Sequence, residues 1–176
     1  LQGVQEEVWL NEARAEYALA VLGYDKVYNG SILQRRVNDF LVNPSVSITE
    51  LKNIKYNYAA LTLFTYYLVD HYGVGALTDS LKSKSFGIES INKALSINGF
   101  TEDFAEVFTD WTIANIVNDC SLGGKYCYLN EHLVDLKINP SINFLPLSGD
   151  SYLSVKNSSK DWMPNWQKII GGNGNM

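Results

Sequence analysis

The feature that most constrains the fold is a stretch from Tyr56 to Tyr72 that is apolar almost all round. Large apolar side chains occur at every angular position of a helical turn, so a helix here has no polar face to present to water. Such a helix normally lies at the centre of its domain, with other elements packed around it. Gly73 follows directly and predicts the C-terminal end of the helix. The sequence therefore predicts a helical domain built around this segment.

Shorter helices are predicted on both sides of the central one, from apolar residues at helical spacing. Asn43-Pro44 predicts the end of the second helix, and a helix after Phe100 is predicted to begin with Thr101 as its N-cap. Ser47 predicts a short capped turn. The predicted helical segments are residues 1–23, 31–41, 47–50, 56–72, 76–82, 88–97 and 101–118.

The pattern changes after Cys120. Short, partly alternating runs at 133–138, 142–145 and 152–155 are separated by proline or glycine and predict strands or extended segments. We therefore expect a mainly α fold with short β or extended segments at the C-terminus. Residues 1–119 would form the helical part, and residues 120–176 the C-terminal part.

Charge and hydropathy exclude some classes of partner. The net charge is −5, and the Arg35-Arg36 pair is the largest basic cluster, which argues against nucleic acid as a partner. No apolar run is as long as a membrane-spanning helix requires, so we expect no membrane span.

The two cysteines, Cys120 and Cys127, are separated by a short loop that contains Gly123-Gly124. A disulfide is plausible at this spacing, and a disulfide together with the polar Asn- and Ser-rich composition suits a secreted or cell-surface protein. Two free thiols in a cytosolic protein remain the alternative.

Two acidic residues near the N-terminus, Glu12 and Glu16, are four positions apart and lie on the same side of a helix. Carboxylates at that spacing repel each other unless a cation compensates them. Taken alone, the pair predicts only a solvated acidic face near Arg14.

The residues around this pair carry a resemblance to a known group of enzymes. Residues 9–17 read W-L-N-E-A-R-A-E-Y, which closely resembles the W-L-N-E-G-x-A-x-Y signature of gluzincin zinc metallopeptidases. The resemblance implies that Glu12 is the third zinc ligand, that Asn11 supports the site, and that Glu16 contacts a ligating histidine from behind. Ala13 replaces the usual glycine, and both residues are small.

Two later segments resemble the hyicolysin-like and aminopeptidase-like members of the same group. Residues 56–73 resemble the helix behind the active site. Its leading tyrosine binds the oxyanion in the aminopeptidase-like families, a role that aligns best with Tyr56 and next with Tyr58. Both tyrosines can equally be ordinary core aromatics. Residues 104–115 resemble the last helix of the hyicolysin-like catalytic domain, and the whole resemblance covers residues 8–118.

A gluzincin site also needs two histidines from a His-Glu-x-x-His helix, and neither His71 nor His132 lies in such a motif. The resemblance therefore implies the C-terminal part of a peptidase catalytic domain, with the histidine pair upstream of Leu1. It implies Zn²⁺ as the cofactor, a protein or peptide as the substrate, and the upstream segment as a partner without which this part is inactive.

Two alternatives remain beside the peptidase. The first is a non-catalytic peptidase-like scaffold or protein-interaction module. The second is an ordinary helical binding domain with a chance W-L-N-E. A cleft at Glu12, with Tyr56 or Tyr58 near it, would separate the peptidase scaffold from the chance match.

Overall fold

A computed structural model of the chain describes residues 5–144, 154 and 156–170. The mainly α prediction is confirmed, with short strands near the C-terminus. The elements are α1 (Val8–Val21), α2 (Ile32–Val42), α3 (Ile54–Tyr72), α4 (Gly75–Thr78), α5 (Gly87–Ile97), α6 (Phe104–Val117), β1 (Ser141–Phe144) and β2 (Gln167–Ile170).

Helix α3 is the centre of the fold, as its sequence predicts. Thirteen of its 19 residues are buried, and every residue from Ala59 to Val69 is among them. Helices α1 and α2 pack along it, and α4 and α6 contact it as well. A helix surrounded in this way buries apolar side chains on all faces, which explains why its sequence has no polar stripe. Among the described helices, none is both long enough and apolar enough to cross a bilayer.

Helix α1 begins later than its spacing predicts. Residues 5–7 are not helical, and the backbone of Glu7 is extended. The Glu6 carboxylate accepts hydrogen bonds from the Gly87 amide at 2.7 Å and from Arg14 at 3.0 Å. These tertiary contacts hold the segment against the start of α5. The prediction of helix is therefore wrong for residues 5–7.

Two short predicted helices are also modified. The segment 76–82 divides into α4 and a 3₁₀ turn at Ser80–Lys82. The Ser47 hydroxyl accepts from the amides of Thr49 and Glu50, as a cap does, but the chain only bends there. The capping chemistry at Ser47 is present without the helix that it was predicted to begin.

Helix α6 is capped by Asp103 and not by Thr101. The Asp103 carboxylate accepts from the Glu106 amide at 3.0 Å, and the Glu106 carboxylate accepts from the Asp103 amide at 2.9 Å. This reciprocal capping box satisfies two amides at the helix start. An N-cap at Thr101 would place the helix start two residues too early.

The segment 133–138 is a loop and not the predicted strand. Asn118 ends α6 in the left-handed conformation, with φ of 37°. The two hydrogens of its side-chain NH2 group are shared among the carbonyls of Leu133, Val134 and Leu136, at 2.8 to 3.0 Å. Its side-chain oxygen accepts from the Tyr128 amide. In a strand, these backbone carbonyls would accept hydrogen bonds from a neighbouring strand. Here they converge on the Asn118 side chain instead, so the chain curls around it.

The strands β1 and β2 pair in parallel, with Ser141 opposite Gln167. β1 agrees with the strand predicted at 142–145 to within a residue at each end, whereas β2 was not predicted. The strand predicted at 152–155 lies outside the described residues apart from Ser154. Tyr128 and Leu133 belong to the same hydrophobic core as α3, so the described C-terminal part packs directly on the helices.

Candidate active site

Helix α1 places two acidic side chains beside α2 and α3. Its residues Trp9, Leu10 and Ala13 are buried in the core. Burial of this stripe leaves Glu12 and Glu16, one turn apart, partly buried at the junction of the three helices. The two acidic residues are therefore not on a freely solvated face.

Glu16 is held by groups from two other helices. Arg36 of α2 donates to both of its carboxylate oxygens, through Nε at 2.8 Å and Nη2 at 2.6 Å. The Thr62 hydroxyl of α3 donates to the same carboxylate at 2.8 Å. The Arg36 and Glu16 side chains are only 12% and 11% exposed, so this paired geometry is mostly shielded from water.

Tyr58 of α3 completes the group. Its hydroxyl lies close enough to the Glu12 carboxylate for the two groups to interact, and the Arg36 guanidinium lies 5.1 Å from the centre of its ring. Burial, followed by the interaction with the Glu12 carboxylate and the negative charges of Glu12 and Glu16, raises the pKa of Tyr58 to about 12. Arg36 acts in the opposite direction but does not outweigh them. Tyr58 is therefore a neutral hydrogen-bond donor throughout the physiological range.

The first-choice tyrosine from the sequence, Tyr56, has a different neighbour. Residues that are two positions apart in an α-helix are separated by about 200° around its axis, so Tyr56 and Tyr58 face different directions. Tyr58 faces Glu12, and the Tyr56 ring lies 5.2 Å from the Lys55 ammonium. The arrangement gives Tyr58, the second-choice residue, the position near the carboxylate.

Asn11 lies on the exposed side of α1 beside the predicted ligand. Its side-chain oxygen accepts from Arg14 at 3.4 Å, and Arg14 in turn binds Glu6 and Ser80. This network fixes the start of α1. Through its hydrogen bond with Arg14, Asn11 takes part in holding the helix that carries Glu12.

The described residues supply one candidate zinc ligand at this position. Within residues 5–144, 154 and 156–170, no three or more His, Cys, Asp or Glu side chains come together in a way that could hold a metal ion. Glu12 is free to act as a ligand only by exchanging or sharing its contact with Tyr58. A catalytic zinc site with three protein ligands would need two ligands in addition to Glu12.

Sequence reasoning missed two members of the group, Arg36 and Thr62. Thr62 is a polar residue within an otherwise apolar helix, which is a usable signal because a buried hydroxyl needs a partner. Arg36 has no such signal, since its neighbour Arg35 is exposed and the sequence does not distinguish the two. Only the packing of α2 against α1 and α3 does so.

Cys120 and Cys127 form a disulfide, with their Cα atoms 5.0 Å apart. The loop that it closes is fixed to the end of α3. The Tyr67 hydroxyl donates to the Lys125 carbonyl at 2.6 Å, and His71 Nε2 lies 2.9 Å from the Cys127 carbonyl. Burial lowers the pKa of His71, which favours the neutral ring as a donor in this structural contact.

Comparison of the chain with protein-family models, with curated proteins and with solved structures finds no match.

Proposed function

We propose that this chain is one part of a secreted zinc-dependent peptidase, in which Glu12 supplies a zinc ligand and Tyr58 binds the oxyanion. The observation that carries the proposal is the proximity of the Tyr58 hydroxyl to the Glu12 carboxylate. The two residues lie in the two separate segments whose sequences resemble the gluzincin pattern, and they are 46 positions apart.

Zinc in such a site polarises the scissile carbonyl and lowers the pKa of its bound water. Its two histidine ligands and the general base would come from a His-Glu-x-x-His segment that is not part of this sequence. The disulfide between Cys120 and Cys127 supports an extracellular location, because such bonds persist in oxidising compartments.

The residues of this chain would act by positioning and by donating hydrogen bonds. Arg36 and Thr62 hold Glu16, and Arg36 also covers the ring of Tyr58. A tyrosine whose ring is held in this way needs only to turn its hydroxyl proton from Glu12 to a reacting oxygen in order to stabilise the charge that develops there. Its pKa of about 12 keeps the proton in place for that role.

The other candidate is a peptidase-like scaffold or protein-interaction module without catalytic activity. One observation favours it. Each of the two acidic groups already has a partner within the chain, since Tyr58 binds Glu12 and Arg36 binds Glu16. A carboxylate network of this kind needs no metal to be stable.

Zinc content and casein proteolysis of the full-length polypeptide that contains this chain separate the two candidates. For the peptidase we expect one zinc per chain, loss of zinc and activity in Glu12→Gln, and loss of activity with retained zinc in Tyr58→Phe. Glu89→Gln is the matched control, because that side chain is 69% exposed and forms a surface ion pair with Lys93. A full-length protein without zinc, or one whose zinc and activity survive Glu12→Gln, would leave the scaffold as the function.

A further inference from the structure

A separate pocket of about 270 Å³ lies between the C-terminal half of α1, the α1–α2 loop and residues 130–132. Its wall includes the apolar side chains of Ala20 and Val21 and the rings of Tyr17 and Tyr66. Its polar side includes Asp25, Lys26, Asn130, Glu131 and His132. None of these residues belongs to the Glu12 group, which comprises Glu12, Glu16, Arg36, Tyr58 and Thr62.

Asp25 is a buried carboxylate that is only partly compensated. It is 8% exposed, and its Oδ2 accepts a hydrogen bond from the Tyr66 hydroxyl. Its Oδ1 is enclosed and has no hydrogen-bond partner among the described residues. The Leu33 amide and His132 favour the charged form, but burial outweighs them and raises the pKa of Asp25 above its usual range. A buried carboxylate in this condition is destabilising unless a positive group comes close to it.

The aromatic side chains around the pocket suit a cation. The Tyr17 and Tyr66 rings meet edge to face at 5.3 Å, and the His132 ring stacks on Tyr28 at 5.1 Å. Faces of tyrosine rings attract a positive group. The adjoining apolar wall at Ala20 and Val21 offers contact for an alkyl stem.

The lysine of the chain nearest to this carboxylate in sequence does not compensate it. Lys26 lines the pocket, but its side chain is exposed. The aliphatic stem of Lys26 passes over Gly23, where a Cβ atom would lie 3.1 Å from the Lys26 Cε. Among the described residues no Lys, Arg or His forms an ion pair with Asp25. In the same described part of the chain, no group of three metal-binding side chains is present.

We propose that the pocket beside Asp25 binds an alkylammonium group. A compact cation on an apolar stem matches a buried carboxylate, two tyrosine side chains and an apolar wall better than an anion or a neutral ligand does. The group belongs to a free alkylamine or to a lysine side chain of a partner polypeptide, and both present the same chemistry. The proposal does not depend on the peptidase function.

Titration of the isotope-labelled chain with n-butylammonium chloride, followed by the backbone NMR signals of residues 20–26 and 130–132, tests the proposal. We expect saturable shifts at these positions with an affinity of about 1 mM. n-Butanol, which has the same stem without the charge, should give no saturable shift at equal concentration. Equal binding of n-butanol, or no saturation by n-butylammonium, would overturn the proposal.

Three variants make the test specific. Asp25→Asn, which keeps an acceptor for Tyr66, should weaken n-butylammonium binding about tenfold or more. Lys26→Gln removes an exposed positive charge at the pocket and should tighten binding about threefold. Lys52→Gln is its control, because this side chain is 75% exposed and lies outside the pocket. Unchanged affinity in both Asp25→Asn and Lys26→Gln would also overturn the proposal, and the second variant alters no buried group.

A further titration identifies the source of the ammonium group. N-acetyl-lysine methylamide carries the same group in the form that a polypeptide presents. Binding at least as tight as that of n-butylammonium assigns the pocket to a lysine of a partner. Binding of n-butylammonium alone assigns it to a free amine.

Discussion

Arg36 binds both carboxylate oxygens of Glu16, at 2.8 and 2.6 Å, while its guanidinium lies over the ring of Tyr58. One side chain of α2 thereby joins a residue of α1 to a residue of α3. Because the pair is mostly shielded from water, the Glu12 group is part of the helix packing and not a surface addition to it.

Replacing Arg36 by alanine should destabilise the chain strongly. The substitution leaves the Glu16 carboxylate mostly buried with Thr62 as its remaining donor, and loss of one partner of a buried pair costs about 3 kcal/mol. Urea unfolding measures the change. Arg35→Ala, at the neighbouring exposed position, should shift stability by about 0.5 kcal/mol or less. Equal effects of the two substitutions would contradict the structural role of the pair.

The titration of Tyr58 should report the contact with Glu12. In the folded chain its pKa is about 12, so the stabilisation linked to its neutral form is present below pH 10 and is lost as the pH rises through 12. Glu12→Gln removes a negative neighbour and should lower the pKa of Tyr58, although burial keeps it above 10. NMR of ¹³C-labelled tyrosine, with Glu89→Gln as the control, measures the shift. No difference between Glu12→Gln and the control would show that the contact is absent.

Replacing Tyr128 by phenylalanine should lower the free energy of unfolding by about 1–3 kcal/mol, although the substitution removes only the hydroxyl and leaves the ring in place. This hydroxyl accepts from Trp111 Nε1 and donates to Asn115 Oδ1, both at 2.8 Å. Tyr128→Phe leaves a buried donor and a buried acceptor without this partner. Denaturant unfolding compares it with Tyr24→Phe, whose ring is 66% exposed and whose substitution should be nearly neutral. Equal stability of the two variants would argue against a buried network.

Asp70 should make the stability depend on pH between about 4 and 6. Burial raises its pKa to about 6 from an ordinary value of 3.8, against the hydrogen bond from the Asn130 amide. Because the folded pKa is the higher one, the stabilisation linked to the protonated form is present below pH 4 and declines as the pH rises through 6.

Asp70→Asn should therefore raise stability at pH 7 by about 1–2 kcal/mol, a figure reduced for the partial exposure of the site, and have little effect at pH 4. The asparagine oxygen can still accept from the Asn130 amide. Unfolding midpoints measured from pH 4 to 8 test this. Asp79→Asn is the control, because Lys82 and Asn98 lower the pKa of Asp79 and its substitution should not stabilise the chain at pH 7. A gain that is the same at pH 4 and pH 7 would refute the assignment to a buried charge.

Reduction of the disulfide should lower the free energy of unfolding by about 2–3 kcal/mol, the chain-entropy value for so short a loop. Unfolding with and without reductant measures the effect. The Cys120→Ala/Cys127→Ala double variant should be insensitive to reductant. If the wild-type chain is equally insensitive, the bond does not form in solution.

The local sequence pattern was sufficient to predict the central helix and to place Glu12 and Glu16 on the same face of a helix. A helix surrounded by protein must be apolar on all sides, and residues four apart on a helix always meet, so both features are determined by short stretches of chain. The same reasoning failed at residues 133–138, where alternation suggested a strand. The hydrogen bonds from Asn118, at least 15 positions away, curl the chain there instead.

The sequence by itself determined the five longer helices, their approximate bounds and the acidic pair. Only the tertiary structure decided that Tyr58 and not Tyr56 lies against Glu12, that Arg36 and not Arg35 binds Glu16, and that β2 finds β1 as its partner. The physical reason is that these contacts join residues 20 to 46 positions apart, and their existence depends on the rotation and spacing of packed elements, which local side-chain periodicity does not specify.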